Sequence, residues 1–211
     1  MQNGKREQMR FFMKLLKIKI ITALIILLPL LSMASSDSCL EKWEEFSHRT
    51  EKIQLKNWIR TTAFNILSKN KDAAYPDIEL PAQPECTGLF ITLIRKGKVR
   101  GCYGAFTHRY NSPADILKDY IKGALYLDPR HTPLEKYELE ETEIVLTVTS
   151  KPEPVDDINN VDISNFGLFI ECEDSSGTVI VPAEYKTSSK VLKLTGNRRC
   201  RFQKFRAVTI R

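Results

Sequence analysis

Cys102 stands between two glycines in Val99-Arg100-Gly101-Cys102-Tyr103-Gly104, and this stretch holds the residue types from which a site is most readily built. Glycine permits positive φ and the close approach of a backbone or ligand, so the strand is expected to kink or open at the thiol. Arg100, two residues away, would share the Cys102 face of a regular strand, where its guanidinium would favour thiolate over thiol. Asp128-Pro129-Arg130 supplies a second guanidinium, and His108 and His131 are candidate proton acceptors.

Two chemistries fit these residues. The first is nucleophilic catalysis by Cys102, with His131 or His108 as base and Arg100 and Arg130 as anion holders. The second is a binding module for a small anion, peptide or partner protein. Arg100 and Arg130 would present planar forks to carboxylate or phosphate, and Gly101, Tyr103, Gly104 and Asp128 would complete the pocket. The binding module asks less of the residues present and is preferred. The plainer alternatives are a small buried Cys102 beside a glycine-shaped bulge, and an Arg130 that pairs internally with Asp128 or Glu153. No CxxC or clustered Cys/His spacing occurs among the five cysteines and three histidines, so neither a metal nor another cofactor is expected.

The elements that must position these residues read as α+β, a mainly antiparallel sheet with flanking helices. Thr50 is placed to cap a helix over residues 51–69, with Ile53, Trp58, Ile59, Thr62, Phe64 and Ile66 turned inward. An irregular, proline-containing connector follows over 70–86. Gly88 to Arg95, a Lys96-Gly97 turn and Val99 to Phe106 form a hairpin. Ser112-Pro113 with Asp115 opens a helix to about Leu127, with Ile116, Leu117, Tyr120 and Ala124 facing inward. Strands are expected over Glu143 to Ser150, over Phe166 to Glu173 with Thr178 to Pro182, and from Cys200 to Ile210.

The 211 residues leave room for one domain and a small lobe, and 42% apolar with 27% charged residues excludes a disordered, collagen-like or multi-span membrane chain. The net charge of +6 is mostly that of the first 34 residues, where six basic residues stand against Glu7. The remainder is near neutral, which argues against a global nucleic-acid field. Ile20 to Ala34 runs 15 residues without a charge and ends in Ser32-Met33-Ala34. This is short for a membrane span but suits a signal peptide cleaved before Ser35, followed by an N-terminal segment to residue 49. Export to a periplasmic or extracellular space is expected, with an uncleaved membrane anchor as the alternative. Cys39, Cys86, Cys102, Cys172 and Cys200 all follow the leader; an odd number leaves one unmatched, expected to be Cys102, while the pairing of the others is open.

Residues 135–184 hold 13 acids and two lysines, whereas 186–211 hold nine basic residues and no acid. Cross-strand pairing of these segments in one sheet is preferred over a basic tail for anionic lipid or polymer. Phe202 and Phe205 among Arg198, Arg199, Arg201, Lys204 and Arg206 would also suit a stacking platform, but export of the chain argues against nucleic acid as a partner.

Gly88 to Gly104, Asp128-Pro129-Arg130, the strand ending in Lys151 to Val155, and Gly167 to Glu171 together resemble the AMMECR domain family, in order and spacing over residues 50–211. The resemblance implies a compact α+β domain of a larger and a smaller lobe, with the Arg-Gly-Cys-hydrophobic-Gly segment as its suspected site. In some prokaryotic relatives it also implies partners of the Memo and radical-SAM types. Three departures stand out: Tyr103 replaces an aliphatic residue, His131 replaces a phenylalanine, and the stretch after Val181-Pro182-Ala183-Glu184 lacks a Trp-rich helical insertion. Export is a fourth, because a radical-SAM partner belongs in a reducing cytosol.

Overall fold

The computed structural model describes residues 39–81, 88–173, 177–182, 184–185, 187–196 and 198–211. The basic leader, the apolar run to Ala34 and Cys86 lie outside the described residues. The first helix, α1, covers residues 39–47 and sends Leu40, Trp43 and Phe46 into the core. α2 (Glu51–Ser68) follows, then the hairpin β1 (Gly88–Arg95) and β2 (Lys98–Ala105), and α3 (Pro113–Tyr126). A 3-10 turn (Lys136–Glu141) leads into β3 (Thr142–Thr149), β4 (Glu153–Val155), β5 (Gly167–Cys172) and β6 (Thr178–Ile180). α4 (Ser188–Thr195), β7 (Cys200–Phe205) and β8 (Ala207–Ile210) complete the chain.

Two antiparallel sheets result, ordered β2-β1-β3-β8 and β4-β7-β5-β6, which makes the fold α+β. The larger core packs α1, α2 and α3 on the first sheet, with Leu89, Ile91 and Leu93 at its centre. The smaller one gathers Ile158, Leu168, Ile170, Ile180 and Val191 under the second sheet. Phe106 joins the two, with its ring 5.1 Å from Phe90, 5.1 Å from Phe169 and 5.5 Å from Phe205. The terminal β stretch divides at Arg206, whose C=O accepts from Ser150 N–H and whose N–H donates to Ser150 Oγ, each at 2.9 Å. The chain thereby leaves one sheet and enters the other.

Local chemistry accounts for the turns. Lys96 and Gly97 both take positive φ, 51° and 72°, the geometry a two-residue hairpin loop demands. Ser112 Oγ accepts the Asp115 N–H at the start of α3, and Ile116, Leu117, Tyr120 and Ala124 are buried. The inward stripe of α2 differs from expectation. It consists of Leu55, Trp58, Ile59, Thr62 and Ala63, while Ile53 and Phe64 are exposed and Thr50 makes no capping bond to the backbone. The buried spacing of three and four residues is the ordinary helical one, and Phe64 sits under the Lys136 ammonium at 4.7 Å instead. The acidic and basic segments do pair: Glu171 faces Arg201 and Glu153 faces Lys204.

Candidate functional site

β2 is bulged. Leu93 pairs with Gly101 and Ile94 with Val99, so Arg100 is an extra residue opposite no partner, and the simple alternation linking it to Cys102 is broken. The expectation that Arg100 sits beside the thiol fails for this reason. Its Nε and Nη2 donate to Glu138 Oε1 and Oε2 at 3.1 and 2.9 Å, Nη1 to the Thr132 carbonyl at 2.8 Å, and Nη2 also to that of Pro133 at 3.3 Å. Glu138, buried, also accepts from Arg95 Nη1 at 2.7 Å. The Arg100 hydrogen bond, then the Glu135 N–H, hold the Glu138 carboxyl below the usual carboxylate range.

Beyond the bulge the strand is regular, and its two faces separate. Gly101 lies against α3, where a side chain would strike the Ala124 carbonyl and Leu93. Tyr103 lies on the same side over Gly123, which has no side chain to obstruct the ring; the aromatic residue at this position is thus accommodated by a glycine in α3. Cys102 faces the other way. Its Sγ is 3.3 Å from Thr92 Oγ1, its partner across the hairpin, and it lines a cleft of about 410 Å³ with Phe90, Leu127, Arg130, Thr178 and Val179.

The Asp128-Pro129-Arg130 loop follows α3 and closes where Leu134 N–H meets the Leu125 carbonyl at 2.8 Å. Asp128 is the junction. Its side chain is 3% exposed and accepts from Cys102 N–H at 2.8 Å, Arg130 N–H at 3.0 Å, Arg130 Nε at 2.9 Å and Arg130 Nη2 at 2.8 Å. Burial pushes the Asp128 carboxyl up, but the bonds from the Arg130 side chain and backbone outweigh it, leaving it below its ordinary range. Arg130 is 43% exposed and keeps Nη1 uncommitted among the described residues. Glu184, outside the motif residues, does not line the cleft but is near enough to influence Cys102 and Arg130 electrostatically. Burial raises its carboxyl pKa although Oε2 accepts from Val181 N–H at 3.1 Å.

The thiol has no histidine beside it in this arrangement. His108 Nδ1 pairs with Tyr120 Oη at 2.7 Å in a separate cavity, and neither histidine lines the Cys102 cleft. His131 contributes a backbone N–H to the Asp128 carbonyl at 3.1 Å. Burial raises the Cys102 thiol pKa, and the Thr92 hydrogen bond and Arg130 charge offset this only in part. The expected thiolate is therefore disfavoured, and the nearby guanidinium belongs to Arg130 rather than Arg100. Cys172 and Cys200, opposite one another in β5 and β7, form a disulfide. Among the described residues no group of three or more His, Cys, Asp or Glu side chains is placed to hold a metal ion. A larger cavity of about 730 Å³ between α2 and the 3-10 turn contains none of the motif residues; Arg60 there is committed to the Leu139 and Thr142 carbonyls.

Among solved structures, the chain is similar to uncharacterised protein PH0010 from Pyrococcus horikoshii, with TM-score 0.58 and 20% identity over 74% of this chain and 88% of that one. Curated relatives include a Thermotoga maritima protein, 31% identical over 45% of this chain and 56% of its own length. A Methanothermobacter thermautotrophicus protein is 30% identical over 43% of this chain and 46% of its own length. The chain thus spans about half the length of these two curated relatives. Residues 51–196, which carry β1, β2, α3 and the Asp128 loop, match the AMMECR1 family, and the chain belongs to it.

Proposed function

We propose that this protein is a binding module whose cleft at Cys102 takes a small ligand bearing a carboxylate or phosphate, gripped by Arg130. The observation that carries the reading is the open Nη1 of Arg130. Asp128 fixes Nε and Nη2 of the same fork, so a donor stands preorganised at the wall of a cleft of about 410 Å³. Fixing the side chain beforehand lowers the ordering cost of binding. Cys102 contributes a neutral thiol and an apolar surface.

A catalytic Cys102 is the rival reading. Its support is the sulfur's position on the cleft with Glu184 nearby, and the upward shift of the thiol works against it. The Cys172–Cys200 bridge supports an oxidising compartment, which agrees with export of the chain. Thermal unfolding in the presence of mono- and dicarboxylates, inorganic phosphate and phosphate esters tests the main reading. At 100-fold excess over Kd a ligand is expected to raise Tm by about 5–10 °C. Arg130→Ala should abolish that rise; an unresponsive wild type, or an equal response in the variant, overturns the reading.

A further inference from the structure

Free edges of both sheets meet at the Cys102 cleft. β2 ends one sheet and β6 ends the other, and residues of each line the cleft beside Arg130. A second hollow of about 340 Å³, with His108, Asp119 and Tyr120 in its wall, shares Tyr103 and Gly104 with the first. The two hollows therefore adjoin at Tyr103 and Gly104 of β2.

The backbone there points outward. Cys102 N–H leaves β2 away from β1, because its acceptor is the Asp128 carboxylate and not a strand carbonyl. Pairing with β1 is regular from Gly101 to Ala105, so the N–H and C=O of Gly104, two residues on, face the same outer side. Asp128 thus stands where a neighbouring strand would bond at Cys102, and the next outward position, Gly104, has no such occupant among the described residues.

Resting on the cleft reading above, we infer that the ligand is an extended peptide segment with a free terminal carboxylate. The carboxylate sits on Arg130 Nη1, and the backbone adds to the outer edge of β2 at Gly104, continuing into the hollow beside His108 and Asp119. Strand addition draws affinity from main-chain hydrogen bonds, and terminal carboxylates are captured by fixed donors; this groove offers both in line. A compact anion would use only the first hollow.

The test retains a random hexapeptide mixture with free C-termini on the immobilised full chain and identifies the bound sequences by mass spectrometry. A retained peptide is then remade as free acid, as amide, and with single N-methyl groups along its backbone. Amidation is expected to weaken binding at least tenfold. Arg130→Gln should weaken the acid by the same factor while leaving the amide unchanged, and N-methylation of the residue that pairs with Gly104 should cost at least tenfold. Acetate and inorganic phosphate form the comparison arm. If they bind in an Arg130-dependent way while no peptide is retained, or N-methylation is harmless throughout, the peptide inference falls and the anion reading stands. If acid and amide bind equally, the carboxylate anchor falls. If neither small anions nor peptides bind, both readings fall.

Discussion

Arg100 spends Nε, Nη1 and Nη2 on Glu138 and on the carbonyls of Thr132 and Pro133, whereas Arg130 gives Nε and Nη2 to Asp128 and keeps Nη1. Arg100 is 19% exposed and Arg130 43%. The first is a brace tying β2 to the 3-10 turn, and the second is a fork aimed by its own loop. A guanidinium has five donors, so its role depends on how many of them the fold has already engaged. Geometry upstream of the side chain decides this: the bulge at Arg100 carries it to Glu138, and the turn after Asp128 folds Arg130 back onto its own aspartate.

The largest expected effect breaks the brace. Glu138→Ala leaves Arg95 and Arg100 without their shared buried carboxylate and should destabilise by about 3–5 kcal/mol, read by urea unfolding. Asp128→Ala removes the acceptor of Cys102 N–H along with the partner of Arg130. The cost should be about 2–3 kcal/mol by the same measurement, with loss of any ligand response. Arg130→Ala should cost less stability, about 1–3 kcal/mol, because it takes two side-chain donors from the buried Asp128 carboxylate while the Cys102 and residue-130 N–H groups remain, but it should weaken ligand binding at least tenfold by calorimetry.

Acid titration sharpens the comparison. Asp128 and Glu138 both have carboxyl pKa values lowered on folding, so the unfolded chain binds more protons across that interval. Their stabilising contribution is complete above the ordinary carboxylate range and is lost as pH falls through the folded values. Urea midpoints followed from about pH 7 down to about pH 2 should show a shallower acid limb in Asp128→Asn than in wild type. The smallest effect concerns the thiol: Cys102 should be alkylated by iodoacetamide at neutral pH more slowly than an exposed cysteine, and more slowly still in Arg130→Ala, which lacks the charge favouring thiolate. Rapid, selective alkylation of Cys102 would favour the catalytic reading.

The parts of this arrangement written in local chemistry are legible in the sequence. The β1–β2 hairpin follows from a β-branched run and Lys96-Gly97, and α3 from Ser112-Pro113 and an apolar stripe whose named members are all buried. Cys102 and the Asp128 loop can be nominated because their residue types are unusual together. Side-chain parity beyond a bulge is not legible, since nothing in Val99 to Gly104 announces that Arg100 is the extra residue. The α2 stripe is legible only in part: Ile53 and Phe64 fit an approximate 3.6 period with Trp58, Ile59 and Thr62, yet Leu55 and Ala63 take the buried face in their place. Glu184 comes within electrostatic reach of Cys102 through the turn after β6, where it accepts the Val181 N–H, a placement set by the tertiary fold. The signal for Glu184 was an acid beside an apolar turn, a pattern shared by many surface loops.

The division of labour between the two arginines is tested most directly by measuring urea stability and ligand affinity together in Arg100→Ala and Arg130→Ala. The account predicts a crossed result, with Arg100→Ala losing stability while binding persists and Arg130→Ala losing binding while the variant remains folded. Equal weakening of binding in both folded variants, or undiminished binding in Arg130→Ala, would contradict it.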